Sequence, residues 1–115
     1  MDISVSTMEG SVAVTTFHIS GQLDAGNVAE LEEKAISAVN AGTRNLLLDL
    51  GNVSFMSSAA FRTIHKVYQA LSKEKGGCLK LLNPSEEISR ITKTLGFDSF
   101  IDVLSGDLKQ AVDSF

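Results

Sequence analysis

The sequence predicts an α/β fold: a mixed, mostly parallel sheet of four to five strands, opened by an antiparallel hairpin and carrying about four helices packed mainly on one face. Three observations predict it. Two runs of alternating apolar and polar residues flank Gly10 near the N-terminus. Leu46-Leu47-Leu48-Asp49-Leu50 is an almost unbroken apolar run. From there on, short strand-like runs alternate with segments whose apolar residues recur at helical spacing, the pattern of parallel strands joined by right-handed crossovers.

Each element has its own local reason. Ile3, Val5 and Thr7 alternate with polar residues, as in a strand with one wet face. After the Met8–Ser11 turn, Val12, Val14, Thr16, His18 and Ser20 alternate with Ala13, Thr15, Phe17 and Ile19, which places Phe17 and Ile19 on the core face. Gly21–Gly26 reads as a break. Asn27 with Glu30 resembles a capping box ahead of Val28, Leu31, Ala35, Ala38 and Val39, and Gly42 ends that helix. The leucine run reads as a central strand covered on both faces, turned by Gly51-Asn52. Ser57 or Ser58 is placed to cap a second helix with Ala60, Ile64, Val67, Tyr68 and Leu71 buried. Gly76-Gly77 stops it, and Cys78–Leu82 is a further strand. Asn83-Pro84-Ser85-Glu86 reads as a helix start with Asn83 as cap and Pro84 at the first helical position, leading into Ile88, Ile91 and Leu95. Gly96 terminates that helix. Phe100–Val103 is a short strand, and Ser105 is placed to cap a last helix with Leu108, Ala111, Val112 and Phe115.

Composition narrows the function classes. The 115 residues suit one domain, spanning 1–115, large enough to fold without a disulfide or a metal. Ten basic against 14 acidic residues give a formal charge of −4, which argues against nucleic acid as the main partner. The lone Cys78 excludes an intramolecular disulfide and a multi-cysteine zinc site. No apolar run approaches the roughly 20 residues needed to span a bilayer, so membrane insertion is not expected. The Met1–Ser4 start has no signal-peptide pattern, and a cytoplasmic location is expected.

Chemistry-bearing residues are few. No nucleophile elbow, phosphate-binding glycine motif or metal-ligand spacing occurs, so neither catalysis nor a cofactor is expected. A nucleotide-binding module would need a phosphate cradle and metal ligands that the chain does not display. His18 and His65 fall singly in a strand and a helix, and Cys78 reads as an inert core thiol. Asp24 suits a turn, and Asp49 lies where the central strand is expected to end. Together they would form an acidic rim around Ser57 and Ser58. Those serines join the central strand to a helix N-terminus, where backbone N–H groups favour a negative group. Capping alone also accounts for them.

Gly21-Gln22-Leu23-Asp24, Ala29-Glu30-Leu31 and Leu47–Ala59 (LLDLGNVSFMSSA) resemble an STAS domain of the anti-sigma factor antagonist type, as do Leu81-Leu82-Asn83 and Ile91–Phe97. The resemblance covers nearly the whole chain in order, and the strand-turn-SerSer-helix segment is its most specific part. It implies a non-enzymatic switch protein that binds an anti-sigma factor, often a serine-protein kinase, and frees a sigma factor. Phosphorylation of a serine at the start of the second helix would end the interaction, and a phosphatase would restore it. The family pattern Asp-Ser-Ser-Gly reads Ser57-Ser58-Ala59-Ala60 here, so the resemblance puts the phosphoacceptor at Ser58, with Ser57 as second candidate. The Ala60 methyl stands where glycine would leave room for a partner. Asp24, Asn27, Ser57, Ser58, Ala59, Arg62 and Lys66 form the expected docking surface, with Arg62 and Lys66 on one helical face. A monomer or weak homodimer is expected. The alternative within the same fold is a cytoplasmic subunit of a lipid-trafficking ABC transporter, or part of a larger signalling assembly, without phosphorylation.

Overall fold

The computed structural model describes residues Met1–Phe115. The order is β1 (Asp2–Glu9), β2 (Ala13–Leu23), α1 (Val28–Asn40), β3 (Asn45–Met56), α2 (Ser58–Ser72), β4 (Cys78–Leu82), α3 (Glu86–Thr94), β5 (Asp102–Leu104) and α4 (Leu108–Asp113), with a 3₁₀ turn at Phe97–Ser99. One five-stranded sheet runs β1-β2-β3-β4-β5 in space, antiparallel only between β1 and β2. The expected fold class is the observed one.

The sheet buries apolar residues on both faces. Phe17, Ile19 and Leu23 of β2, Leu46, Leu48 and Leu50 of β3, and Leu79 and Leu81 of β4 meet Leu31, Ala35 and Val39 of α1 and Ala60, Phe61, Ile64, Val67 and Leu71 of α2. Ile88 of α3 joins the same cluster. On the other face a smaller cluster unites Val14, Leu47 and Leu82 with Ala111 and Val112 of α4. The leucine run of β3 is continuous because helices cover both of its faces.

Local rules placed the elements better than their ends. β2 does not break at Gly21. It continues to Leu23 through two register shifts, with Gly21 at φ +94°, a conformation that suits glycine. β3 likewise runs through Gly51-Asn52 to Met56 instead of turning there. Two expected caps move, and a third keeps its place without a cap bond. Asn27 precedes α1, but its side chain makes no cap bond. Ser85, not Asn83, caps α3 by accepting from the Ile88 N–H at 3.2 Å. Asp107, not Ser105, caps α4 by accepting from the Gln110 N–H at 2.8 Å. Asn83 sits at φ +54°, and its side-chain amide exchanges two 2.9 Å hydrogen bonds with the backbone of Gly106. A long-range partner thus outcompetes the local cap.

The α4 face carries the polar ties of the sheet. Ser6, His18 and Asp49 link β1, β2 and β3: His18 Nε2 lies 3.0 Å from Ser6 Oγ, and His18 Nδ1 lies 2.9 Å from Asp49 Oδ2. The Gly51 N–H donates to the other Asp49 oxygen at 3.0 Å. Lys80, buried on β4, donates to the Ser114 carbonyl at 2.7 Å and lies 3.5 Å from Asp102, so it ties the chain end to the sheet.

His18→Ala removes the tie between the edge hairpin and the central strand. The His18 and Asp49 side chains are 31% and 24% exposed, so solvent weakens the pair. The expected loss is about 1 kcal/mol. Thermal unfolding should show a midpoint about 4 °C lower for that loss. An unchanged midpoint would mean that the tie contributes nothing.

Candidate functional site

The last rungs of the β2–β3 ladder pair Gln22 with Phe55 and Leu23 with Met56. The ladder ends where the Ser57 N–H donates to the Leu23 carbonyl at 2.9 Å. Two chain reversals, 24–27 and 57–58, are thereby brought side by side at the carboxyl ends of parallel strands. Open α/β sheets commonly present binding surfaces at this edge.

The 24–27 loop is held from within. The Asp24 N–H donates to Asn27 Oδ1 at 3.0 Å, the Gly26 N–H donates to Asp24 Oδ1 at 2.9 Å, and Asn27 Nδ2 donates to the Gln22 carbonyl at 2.8 Å. Asp24 is therefore the turn residue its sequence context suggests. Asp49 does not join it. The continued β3 leaves Asp49 on the α4 face, bonded to His18, and the expected acidic rim around the serines is not assembled.

The two serines diverge. Ser57 is the N-cap residue of α2 by backbone conformation, but its side chain makes no cap bond, and its Oγ is buried without a hydrogen-bond partner. Ser58, the first residue of α2, is exposed. Ala59 is half-buried, and Ala60 lies wholly within the core cluster, so its methyl faces the sheet and not a partner.

Behind Ser58 an apolar groove of about 410 Å³ opens between α2 and the α3 region, lined by Met56, Ser58, Phe61, Arg62, His65, Ile91, Leu95 and Phe97. His65 stacks on Phe97 with centroids 5.6 Å apart, and Tyr68 and Phe100 extend the cluster at 4.6 Å. Leu95 and Phe100 remain 50% and 40% exposed. Arg62 and Lys66 share an exposed face of α2, four residues apart, but their side chains meet different neighbours. Arg62 lines this groove, whereas Lys66 turns to α1 and lies 3.5 Å from Glu32. Sequence reasoning missed the groove, because Met56, Phe61, His65 and Phe97 converge only in space. The aromatic pair Phe97 and Phe100 just after Gly96 was the one local signal for it.

A STAS domain profile matches residues 6–114. The chain belongs to the STAS domain family. Within that family it groups with the anti-sigma factor antagonists. It is 28% identical to the anti-sigma-B factor antagonist of Bacillus subtilis over 90% of each chain. It is 31% identical to that of Staphylococcus epidermidis over 76% of this chain and 81% of the relative. The backbone resembles unphosphorylated SpoIIAA, an anti-sigma factor antagonist, with TM-score 0.79 at 18% identity over 98% of this chain and 96% of that one. It resembles a putative anti-sigma factor antagonist from Thermotoga maritima with TM-score 0.86 at 17% identity over 97% and 92%. No helix of this STAS domain is long and apolar enough to cross a membrane.

Cys78 stands apart from this surface. Burial, the main cause, raises its thiol pKa; nearby Asp102 adds to the rise and Lys80 opposes it. A raised pKa means less thiolate at any given pH, so Cys78 should react with iodoacetamide more slowly than a free cysteine at pH 7.5. Its rate should keep climbing past the pH at which the free thiol levels off. A faster rate than that of free cysteine would contradict the burial argument.

Proposed function

We propose that this STAS domain binds an anti-sigma factor of the serine-protein kinase type through a surface centred on Ser58, and so releases a sigma factor. Phosphorylation of Ser58 switches the interaction off, and a phosphatase resets it. The protein acts by binding and not by catalysis, in the cytoplasm where its sigma factor works. The observation that carries this reading is the exposed Ser58 hydroxyl at the start of α2, beside the Asp24–Asn27 loop and the apolar groove. The relatives named anti-sigma-B factor antagonist favour this partner over an ABC-transporter ATPase.

The divergence of the serines supports Ser58 as acceptor. A kinase must bring a γ-phosphoryl group in line with the attacking oxygen, and the buried Oγ of Ser57 offers no such approach. In the transfer, Ser58 Oγ bonds to phosphorus, the bond to the nucleoside diphosphate breaks, and the hydroxyl proton passes to the kinase base. The product carries about −1.5 to −2 charges. Within about 4 Å of a partner carboxylate, each unit charge pair costs about 4 kcal/mol at an effective dielectric of 20. That corresponds to roughly a thousandfold in affinity. Refolding is not required. SpoIIAA has been solved in phosphorylated form, and this chain matches that form with the same TM-score of 0.79, at 18% identity over 98% of each chain.

Incubation with the cognate kinase and ATP should phosphorylate wild-type protein and Ser57→Ala but not Ser58→Ala, as read by phosphopeptide mass spectrometry. Ser58→Asp should leave the circular dichroism spectrum intact and weaken anti-sigma factor binding at least about tenfold. Undiminished affinity would reject the switch, and capture of an ABC ATPase instead of an anti-sigma factor would reject the partner.

A further inference from the structure

Arg62 enters none of the four ion pairs of the structure. The other basic side chain of the same helix stretch, Lys66, is occupied by Glu32. Arg62 lines the apolar groove with Ser58, and none of the groove's lining residues is acidic. A helical side chain leans toward the N-terminus of its helix, so a residue four positions on lies over the turn that holds its predecessor. Arg62 stands in that relation to Ser58. The first turn of α2 contains no acidic residue, Ser57 supplies no side-chain cap, and the acid of the neighbouring loop, Asp24, accepts from the Gly26 N–H within its own turn.

We propose that Arg62 is the internal receptor for a phosphate on Ser58, and that the phosphoserine–Arg62 pair closes over the mouth of the α2–α3 groove. This rests on the reading of Ser58 as the modified residue and names the device by which modification acts. A guanidinium matches phosphate oxygens with two parallel N–H donors, a geometry that lysine cannot reproduce. Phosphorylation then does more than add negative charge. It withdraws the groove's one arginine from the docking surface, so a partner loses both the hydroxyl and the cation it would meet beside the apolar floor.

The experiment uses full-length protein carrying phosphoserine at position 58, introduced during translation so that no kinase is needed. The second ionisation of the phosphate is followed by ³¹P NMR in wild-type, Arg62→Gln, Arg62→Lys and, as a charge-loss control at an exposed site, Lys75→Gln. A paired cation favours the dianion, so the wild-type midpoint should lie about half a pH unit or more below that of Arg62→Gln. Arg62→Lys should fall between them, and Lys75→Gln should match wild type. Phosphorylation should also raise the thermal midpoint of wild type more than that of Arg62→Gln. Arg62 is exposed, so these variants are expected to fold, and circular dichroism verifies it. Equal ³¹P midpoints in wild type and Arg62→Gln would overturn the pairing. Failure of any kinase to modify Ser58 would instead overturn the functional reading, and the NMR result would be unaffected.

Discussion

The parallel pairing of β2 with β3 beyond their register shifts is the constraint on which the site depends. Had either strand ended where its glycines invite a turn, Leu23 and Met56 would not face each other. The 24–27 loop and the start of α2 would then be separate surface features. The pairing survives because Leu23, Val53 and Met56 are all buried in the main core, and that burial outweighs the local turn tendency of Gly21 and Gly51-Asn52. The bond from the Ser57 N–H to the Leu23 carbonyl is the last backbone link of this arrangement, and it sets where Ser58 emerges.

The two faces of the sheet divide the work. The α4 face holds ties that keep an edge hairpin and the chain end on the sheet: Ser6, His18 and Asp49 at one position, Lys80, Asp102 and Ser114 at another. Ser6, His18 and Asp49 are connected as in a hydrolase triad, but they stitch three neighbouring strands and lie on the face away from α2. The α1–α2 face builds the large core, and its rim carries the exposed serine, the arginine and the aromatic groove. Polar groups that hold the fold and polar groups offered to a partner are therefore separated by the thickness of the sheet. A phosphate placed on Ser58, or a partner placed on Arg62, would not touch the first set.

The proposed switch is consistent with this separation. A rigid corner whose loop satisfies its own hydrogen bonds can lose or gain a phosphate on one exposed hydroxyl without a compensating rearrangement. What changes is the surface that a partner meets, which is the economical way for a small domain of limited core size to regulate an interface.

Strand and helix periodicity in the sequence determined the element order, the parallel sheet and the double coverage of β3, because burial pattern is a local property of the chain. The SerSer segment ahead of a helix was legible for the same reason. Element ends and caps were not: Asn83 reads as a cap until Gly106, 23 residues later, takes both ends of its side-chain amide. The fate of individual polar residues was equally out of reach. Asp49 and Asp24 look alike as acids after apolar runs, yet only the register of β2 against β3 sends Asp49 to His18 and leaves Asp24 in its own turn. The sequence likewise did not tell which of Ser57 and Ser58 is exposed. That is a tertiary property, because the pairing that orients the first turn of α2 buries the oxygen of Ser57 and leaves Ser58 at the surface.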